Sequence, residues 1–217
     1  MTKYPINHRK ESHYREAKQK GYRARSAFKL IEIQKRFNIF KRAFYILDLG
    51  SAPGSWLQVA KEFANENLEK YNDDHYSRTN YKIMGVDLKK LSPIEDVEIV
   101  KMDLTKEELR NKINEYFNGE KLDLIISDAS INKSGNKFSD QARQIKLCYE
   151  ILKLTKFLKY KGTFVIKLFQ GKDYEEFFKD LKKKFINIKS FKPKSSYKKS
   201  NEIYLIASKK KLLIESL

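Results

Sequence analysis

Three groups of residues in this sequence could do chemistry. The first is Lys167, set inside the apolar run Phe164-Val165-Ile166-Lys167-Leu168-Phe169. Burial disfavours the charged form of a lysine, and an amine so placed can accept a proton from a hydroxyl. The second is Asp128, directly after the apolar run Leu122 to Ser127. An acid there lies on the carboxyl edge of a sheet, where ligands bind in folds of alternating strands and helices. It would also fix the position of Lys167 and favour its charged form. The third is Asp48-Leu49-Gly50-Ser51-Ala52-Pro53-Gly54-Ser55-Trp56, between an apolar and an amphipathic run. That order reads as strand, glycine turn and helix N-terminus, a place for a nucleotide-like ligand. The spacing is not the Gly-x-Gly-x-x-Gly that cradles a pyrophosphate. Pro53 fixes its own φ and removes a donor. The loop therefore suits a flat, uncharged part of a ligand, with S-adenosylmethionine (SAM) as the candidate. Both features also have plain readings. The loop could be an unliganded turn, and Lys167 a strand-end lysine reaching solvent or paired with Asp128 or Glu202.

The elements that must position these groups follow from periodicity. Helical patterns cover Ser12 to Lys20 and Ser26 to Phe37, with Ser26 as a candidate N-cap. Strands are expected at Ala43 to Leu49, Lys82 to Leu88, Val97 to Val100, Leu122 to Ser127, Thr163 to Phe169, Ile186 to Phe191 and Glu202 to Ala207. Between them, helical patterns run over Trp56 to Ala64, from a Thr105/Glu108 capping box to Phe117, Ser139 to Tyr160, and Asp173 to Phe185. Asn65 to Asn80 has no period and reads as a surface excursion. The alternation predicts an α/β fold, a mostly parallel sheet covered by helices on both faces. Only a loop joins the last two strands, so they should pair antiparallel. The expected arrangement is the Rossmann-like, seven-stranded class I methyltransferase sheet, order 3-2-1-4-5-7-6.

With 217 residues, the chain is expected to form one domain. It divides into a basic helical extension over 1–42, a core over 43–208 and a tail over 209–217. Residues 1–42 hold 13 Lys+Arg against 3 Asp+Glu, residues 43–171 hold 20 against 19, and residues 172–217 hold 13 against 6. The positive field thus sits at the two ends of an ordinary globular middle, and it points to a polyanion such as nucleic acid. No apolar run is long enough to span a membrane and the N-terminus has no signal-peptide core, so a soluble intracellular protein is expected, cytoplasmic or in an organelle matrix. Cys148 is the one cysteine, read as a buried, inert thiol. The histidines His8, His13 and His75 have no ligand spacing, so no metal is expected.

Gly21-Tyr22-Arg23-Ala24-Arg25-Ser26-Ala27-Phe28-Lys29-Leu30, the Asp48–Trp56 loop, Gly85-Val86-Asp87-Leu88, Ser127-Asp128, Val165 to Gly171, and Lys192-Pro193 through Ser200-Asn201-Glu202-Ile203-Tyr204 occur in this order over roughly residues 12 to 208. In these the chain resembles the FtsJ (RrmJ, RlmE) family of SAM-dependent ribose 2′-O-methyltransferases. The resemblance implies a catalytic set of Lys29, Asp128, Lys167 and Glu202, with Lys167 accepting the ribose proton. It implies SAM contacts from Gly54, Trp56, Asp87 (ribose), Asp103 (adenine) and Asp128, with Trp56 otherwise a core aromatic. It implies RNA phosphate contacts from Arg23, Arg25, Lys194, Lys198 and Lys199. The chain departs from the family in Tyr160-Lys161-Gly162, where Pro-Gly-Gly is usual, and in the long excursion at 65–80.

The function expected is 2′-O-methylation of a uridine in large-subunit ribosomal RNA by a monomer. The alternatives are a tRNA target, or a non-catalytic RNA-binding ribosome-assembly factor. Amino methylation of bases would require an Asn/Asp-Pro-Pro-aromatic motif after strand four, where this chain has Asp128-Ala129-Ser130-Ile131. Cytosine C5 chemistry needs a nucleophilic cysteine, and nicotinamide chemistry the missing glycine spacing.

Overall fold

The structure, a computed structural model, describes residues 8–71, 79–132, 134–171, 173–197 and 199–211, without the side chains of 8–13 and 137. His75 and Lys198 fall outside the described residues, as does most of the unpatterned segment's second half. Helix α1 (His8–Gln19) and helix α2 (Ala27–Phe37) precede strand β1 (Tyr45–Leu49) and helix α3 (Ser55–Lys70). Strands β2 (Lys82–Asp87) and β3 (Val97–Lys101) follow, then helix α4 (Glu108–Tyr116), strand β4 (Leu122–Ser127) and helix α5 (Lys137–Lys153). A 3-10 turn (Leu154–Phe157) leads into β5 (Leu158–Phe169), and helix α6 (Tyr174–Lys184), β6 (Phe185–Phe191) and β7 (Glu202–Lys210) complete the chain. The sheet order is β3-β2-β1-β4-β5-β7-β6, with β7 antiparallel to both neighbours, as the sequence predicts.

Each face of the sheet has its own core. Strand side chains alternate between faces, so neighbouring residues join different layers. Phe164, Ile166 and Leu168 pack with Cys148, Ile151 and Phe177 beneath α5 and α6. Val165 packs on the other face with Leu30, Ile33, Trp56 and Leu57 of α2 and α3, together with Tyr204. By the same alternation, Lys167 projects on the α2 side. Helix α2 belongs to this second core rather than to an appendage, because Ala27, Leu30 and Ile33 are fully buried. Truncating Leu30 to alanine should cost about 2–5 kcal/mol. The helix stops at Asn38, which is left-handed at φ 52° and returns its N–H to Gln34 O at 2.7 Å.

Several local expectations change. Ser26 is helical in its own backbone and does not cap α2; its Oγ lies 2.8 Å from Ser55 Oγ, linking α2 to α3. The Thr105/Glu108 capping box does not form, because Thr105 N–H and Oγ1–H both donate to Asp103 Oδ1 at 2.9 Å. Helix α3 runs to Lys70, six residues past Ala64. Its buried Asn67 donates to Phe40 O at 2.7 Å and Ala43 O at 3.0 Å, a tertiary tie with no trace in local periodicity. Helix α5 ends at Lys153. Strand β5 starts at Leu158 opposite Leu122, and its pairing then slips so that Leu124 faces Thr163. The Tyr160-Lys161-Gly162 departure lies in that slip, where a Cβ on Gly162 would stand 2.6 Å from Leu158 Cγ.

No described helix is long and apolar enough to cross a membrane. The described residues contain no cluster of three or more potential metal-binding side chains.

Candidate active site

Four elements bring their charged residues to one place. Lys29 sits in the first turn of α2, Asp128 one residue past β4, Lys167 near the end of β5, and Glu202 at the start of β7. Lys167 and Tyr204 are directly paired across β5 and β7, and Glu202 lies two residues before Tyr204, on the same face.

Lys167 is 6 % exposed, and its Nζ reaches Asp128 Oδ1 at 2.9 Å and Asp128 O at 2.5 Å. Lys29 is 8 % exposed and pairs with Glu202 Oε1 at 2.6 Å. Tyr204 connects the two pairs. Its hydroxyl donates to Asp128 Oδ1 at 2.6 Å and accepts from Lys29 Nζ at 3.2 Å. Burial works to raise the Asp128 pKa, but Lys167, Lys29 and the Tyr204 hydroxyl outweigh it and hold the carboxyl below its usual range. Burial, followed by the charges of Asp128 and Glu202, pushes the Tyr204 phenol far above its usual range, so it remains a donor.

The loop from Asp48 to Trp56 lies on the adjoining carboxyl edge. Gly50 has φ +80° and Gly54 φ +106°, which side-chain-bearing residues rarely adopt. A Cβ on Gly50 would meet the Ala129 Cα at 2.5 Å, so only glycine lets this loop close against the segment after Asp128. Asp87 Oδ2 accepts from Ala52 N at 2.9 Å and Oδ1 from Lys89 N at 2.8 Å, shaping the loop from the neighbouring strand. Asp48 is 1 % exposed, and neither carboxylate oxygen has a hydrogen-bond partner among the described residues. Burial, then the charges of Asp128 and Asp87, push its pKa well above the carboxylate range. Three carboxyl groups therefore lie at the ends of β1, β2 and β4, near enough for Asp128 and Asp87 to act on Asp48. An unpartnered buried acid in such a set fits a ligand that carries positive charge, as the sulfonium and ammonium groups of SAM do.

The other residues singled out in the sequence fall unevenly. Trp56 is a core side chain. It packs on Tyr204 with ring centroids 5.9 Å apart, and its Nε1–H donates to Ser26 O at 2.8 Å. Its indole thus braces α3 against α2 and the site. Asp103 is half-buried after β3, with one oxygen committed to Thr105. Arg23 is engaged within the chain. Its guanidinium donates to Ser92 O and Pro93 O at 2.7 Å and to Pro53 O at 3.3 Å, and it fills the space beside Gly54. Arg25 lies over the Tyr197 ring at 3.8 Å. Lys194 and Lys199 are exposed on the segment between β6 and β7, whereas Lys198 lies outside the described residues. Glu32 of α2 pins that segment by accepting Lys194 N at 2.6 Å and Ser195 N at 2.9 Å. The two basic ends of the sequence are thereby joined on one side of the site.

Tyr204, Glu32 and the unpartnered Asp48 are positions at the site that residue-by-residue reading gave no role. The signal for Tyr204 is its phase: on β7 it shares a face with Glu202, which the apolar run Ile203 to Ala207 disguises.

A model of the FtsJ-like methyltransferase family matches residues 22–210. The ribosomal RNA large subunit methyltransferase E of Francisella philomiragia is 37 % identical over 207 residues, covering 95 % of this chain and 94 % of that protein. The methyltransferase of the same name from Methanocella arvoryzae is 41 % identical over 199 residues, covering 91 % of this chain and 72 % of that one. A Plasmodium falciparum crystal structure assigned as a ribosomal RNA methyltransferase superposes with a TM-score of 0.72 at 31 % identity, covering 87 % of this chain and 98 % of that chain. A match over this span, together with the sheet order and the four charged residues gathered at its edge, makes the chain a member of the FtsJ-like methyltransferase family.

Proposed function

We propose that this protein transfers a methyl group from SAM to a ribose 2′-hydroxyl of RNA, with large-subunit ribosomal RNA as the substrate and a uridine as the target. The observation that carries the reading is the joined set Lys29–Glu202, Tyr204 and Asp128–Lys167 beside a loop rimmed by carboxyl groups. SAM, when bound, supplies a methyl group already activated on a sulfonium. Asp48, Asp87 and Asp128 would hold it, with Asp87 nearest the ribose and Asp103 nearest the adenine.

The remaining work belongs to the chain's own side chains. Lys167 would receive the 2′-hydroxyl proton at Nζ, its free electron pair taking the proton that the attacking oxygen gives up. Asp128 holds that nitrogen through two hydrogen bonds, which leaves one Nζ position for the ribose. Lys29 and Glu202 flank the sugar and set the charge around it, and Tyr204 keeps both pairs in register. Alignment of donor and acceptor contributes much of the rate in a positioned two-body step. Arg25, Lys194, Lys198 and Lys199 supply sequence-independent attraction for the RNA backbone.

The deciding experiment is transfer from methyl-labelled SAM to ribosomes, large subunits and bulk tRNA, with the labelled nucleoside identified. A 2′-O-methyluridine from large subunits is expected. Label confined to tRNA would move the substrate, and no label in any RNA would sink the enzymatic reading.

A further inference from the structure

A cavity of about 480 Å³ opens on the face of the sheet opposite Lys167. Its walls come from residues adjacent in sequence to three of the four charged groups. Ser130 and Ile131 follow Asp128, Leu168 to Gln170 follow Lys167, and Lys199 to Asn201 precede Glu202. It is thus built into the same sheet edge as the candidate active site while sharing none of its side chains. We propose that this cavity takes a nucleobase of the substrate RNA, either that of the methylated nucleotide or that of its immediate neighbour. The inference rests on the reading of the protein as an RNA ribose methyltransferase.

Size, chemistry and position each support a base. The volume lies within the range of small-molecule sites, roughly 300–1,000 Å³. The apolar surfaces are Ile131, Ile145 and Leu168, suited to the faces of a ring. Four of the polar lining groups are neutral amides, Gln141, Gln144, Gln170 and Asn201, which can both donate and accept, as the edge of a base requires. Gln170 is exposed, and its side chain has no hydrogen-bond partner among the described residues; the same holds for Asn201. Asp140 and Asp173 stand with Lys199 in the walls, and Asp140 is paired with Arg143 at 2.5 Å, so these four charges balance and present no cationic cluster to a phosphate.

The cavity is held open by committed bonds. Buried Gln144 accepts Ile131 N at 3.0 Å and donates to Ala129 O at 3.2 Å, fixing the segment after Asp128. Gln141 Nε2 donates to Asp173 Oδ2 at 3.0 Å, joining α5 to the start of α6. Beside this rim, in the first turn of α5, Phe138 is 83 % exposed, an aromatic surface on which a base can stack. An extended strand advances about 3.3 Å per residue, so Phe169 is roughly 7 Å along β5 from Lys167. A nucleoside whose hydroxyl meets Lys167 can reach the cavity with its own base or with the next one.

Two measurements test this. In the first, methyl transfer to large-subunit RNA is compared between wild type and the variants Gln170→Ala and Phe138→Ala, with single base changes at the target and its neighbours. KM for RNA should rise at least about fivefold, SAM affinity should stay within twofold, and Gln170→Ala should narrow the wild type's preference between bases. Unchanged KM and unchanged base preference in both variants, beside an active wild type, would overturn the proposal. In the second, an oligoribonucleotide carrying 2-aminopurine at the target position or next to it is titrated with wild type and with folded Ile145→Trp, which fills the cavity. Quenching by wild type that weakens at least fivefold in the filled variant supports base capture even where no methyl is transferred, and in that case only the ribose chemistry fails. Equal quenching by both proteins overturns the cavity assignment.

Discussion

The Tyr204 hydroxyl donates to Asp128 Oδ1 at 2.6 Å from a ring that is fully buried between Trp56 and the sheet. The same oxygen accepts from Lys29, so one phenol couples two ion pairs whose members come from α2, β5, β7 and the end of β4. Removing only that oxygen tests the coupling. Tyr204→Phe should fold with a stability loss of about 1.5–3 kcal/mol, the order expected for a hydrogen bond to a charged group. It should lower kcat about tenfold or more while leaving SAM affinity nearly unchanged. Equal kcat in the two proteins, by steady-state kinetics, would show the phenol to be packing alone.

Lys167→Ala should keep SAM binding, measured by calorimetry, and lose transfer by roughly 10²–10⁴-fold, the span of a removed proton acceptor. The variant also strips Asp128 of the neighbour that most lowers its pKa, so residual transfer should fall further as pH drops. Transfer at the wild-type rate would rule out Lys167 as the proton acceptor.

Asp48 gives the unliganded protein a pH signature. Its pKa is raised in the folded state, so between the unfolded value of about 3.9 and the raised folded value the native protein holds more protons than the unfolded chain. The contribution of this group to stability is complete below about pH 3.9 and is lost as pH rises toward the folded pKa. The slope is at most about 1.4 kcal/mol per pH unit. Asp48→Asn should flatten that slope and raise the melting temperature at pH 7 without ligand. Thermal melts at a series of pH values read this directly, and parallel wild-type and variant curves would refute it.

Arg23 and Arg25 should separate although only Ala24 stands between them. Arg23 holds the carbonyls of Pro53, Ser92 and Pro93, so Arg23→Met should weaken SAM binding. Arg25 rests on Tyr197 at the joined basic ends, so Arg25→Ala should leave SAM binding unchanged, weaken RNA binding and reduce its salt dependence by about one phosphate contact. The reverse pattern in SAM and RNA titrations would reverse the two assignments.

The strands of the sheet were legible because period-two alternation and buried runs are local properties of the chain, and the antiparallel end followed from a connection too short for a crossover. Lys167 was legible for a related reason, since a charge inside an apolar strand is conspicuous in the sequence itself. Helix ends were less so. Asn67 extends α3 by bonding the carbonyls of Phe40 and Ala43, and Asp103 takes the Thr105 donors that a capping box would have used. Each depends on a competing partner that local propensity does not weigh.

The sheet, the glycine turn and the identities of the four charged residues are encoded locally, in composition and spacing along the chain. Which partners the conspicuous side chains take depends on the packed fold. Trp56 and Arg23 occupy segments of the expected pattern, yet one is core and the other a clasp on carbonyls, while Tyr204 sits in an apolar run and joins the charges. A side chain's role depends on which partner satisfies its polar atoms once water is excluded, and those partners lie on α2, β4 and the 92–93 turn, far away in the chain.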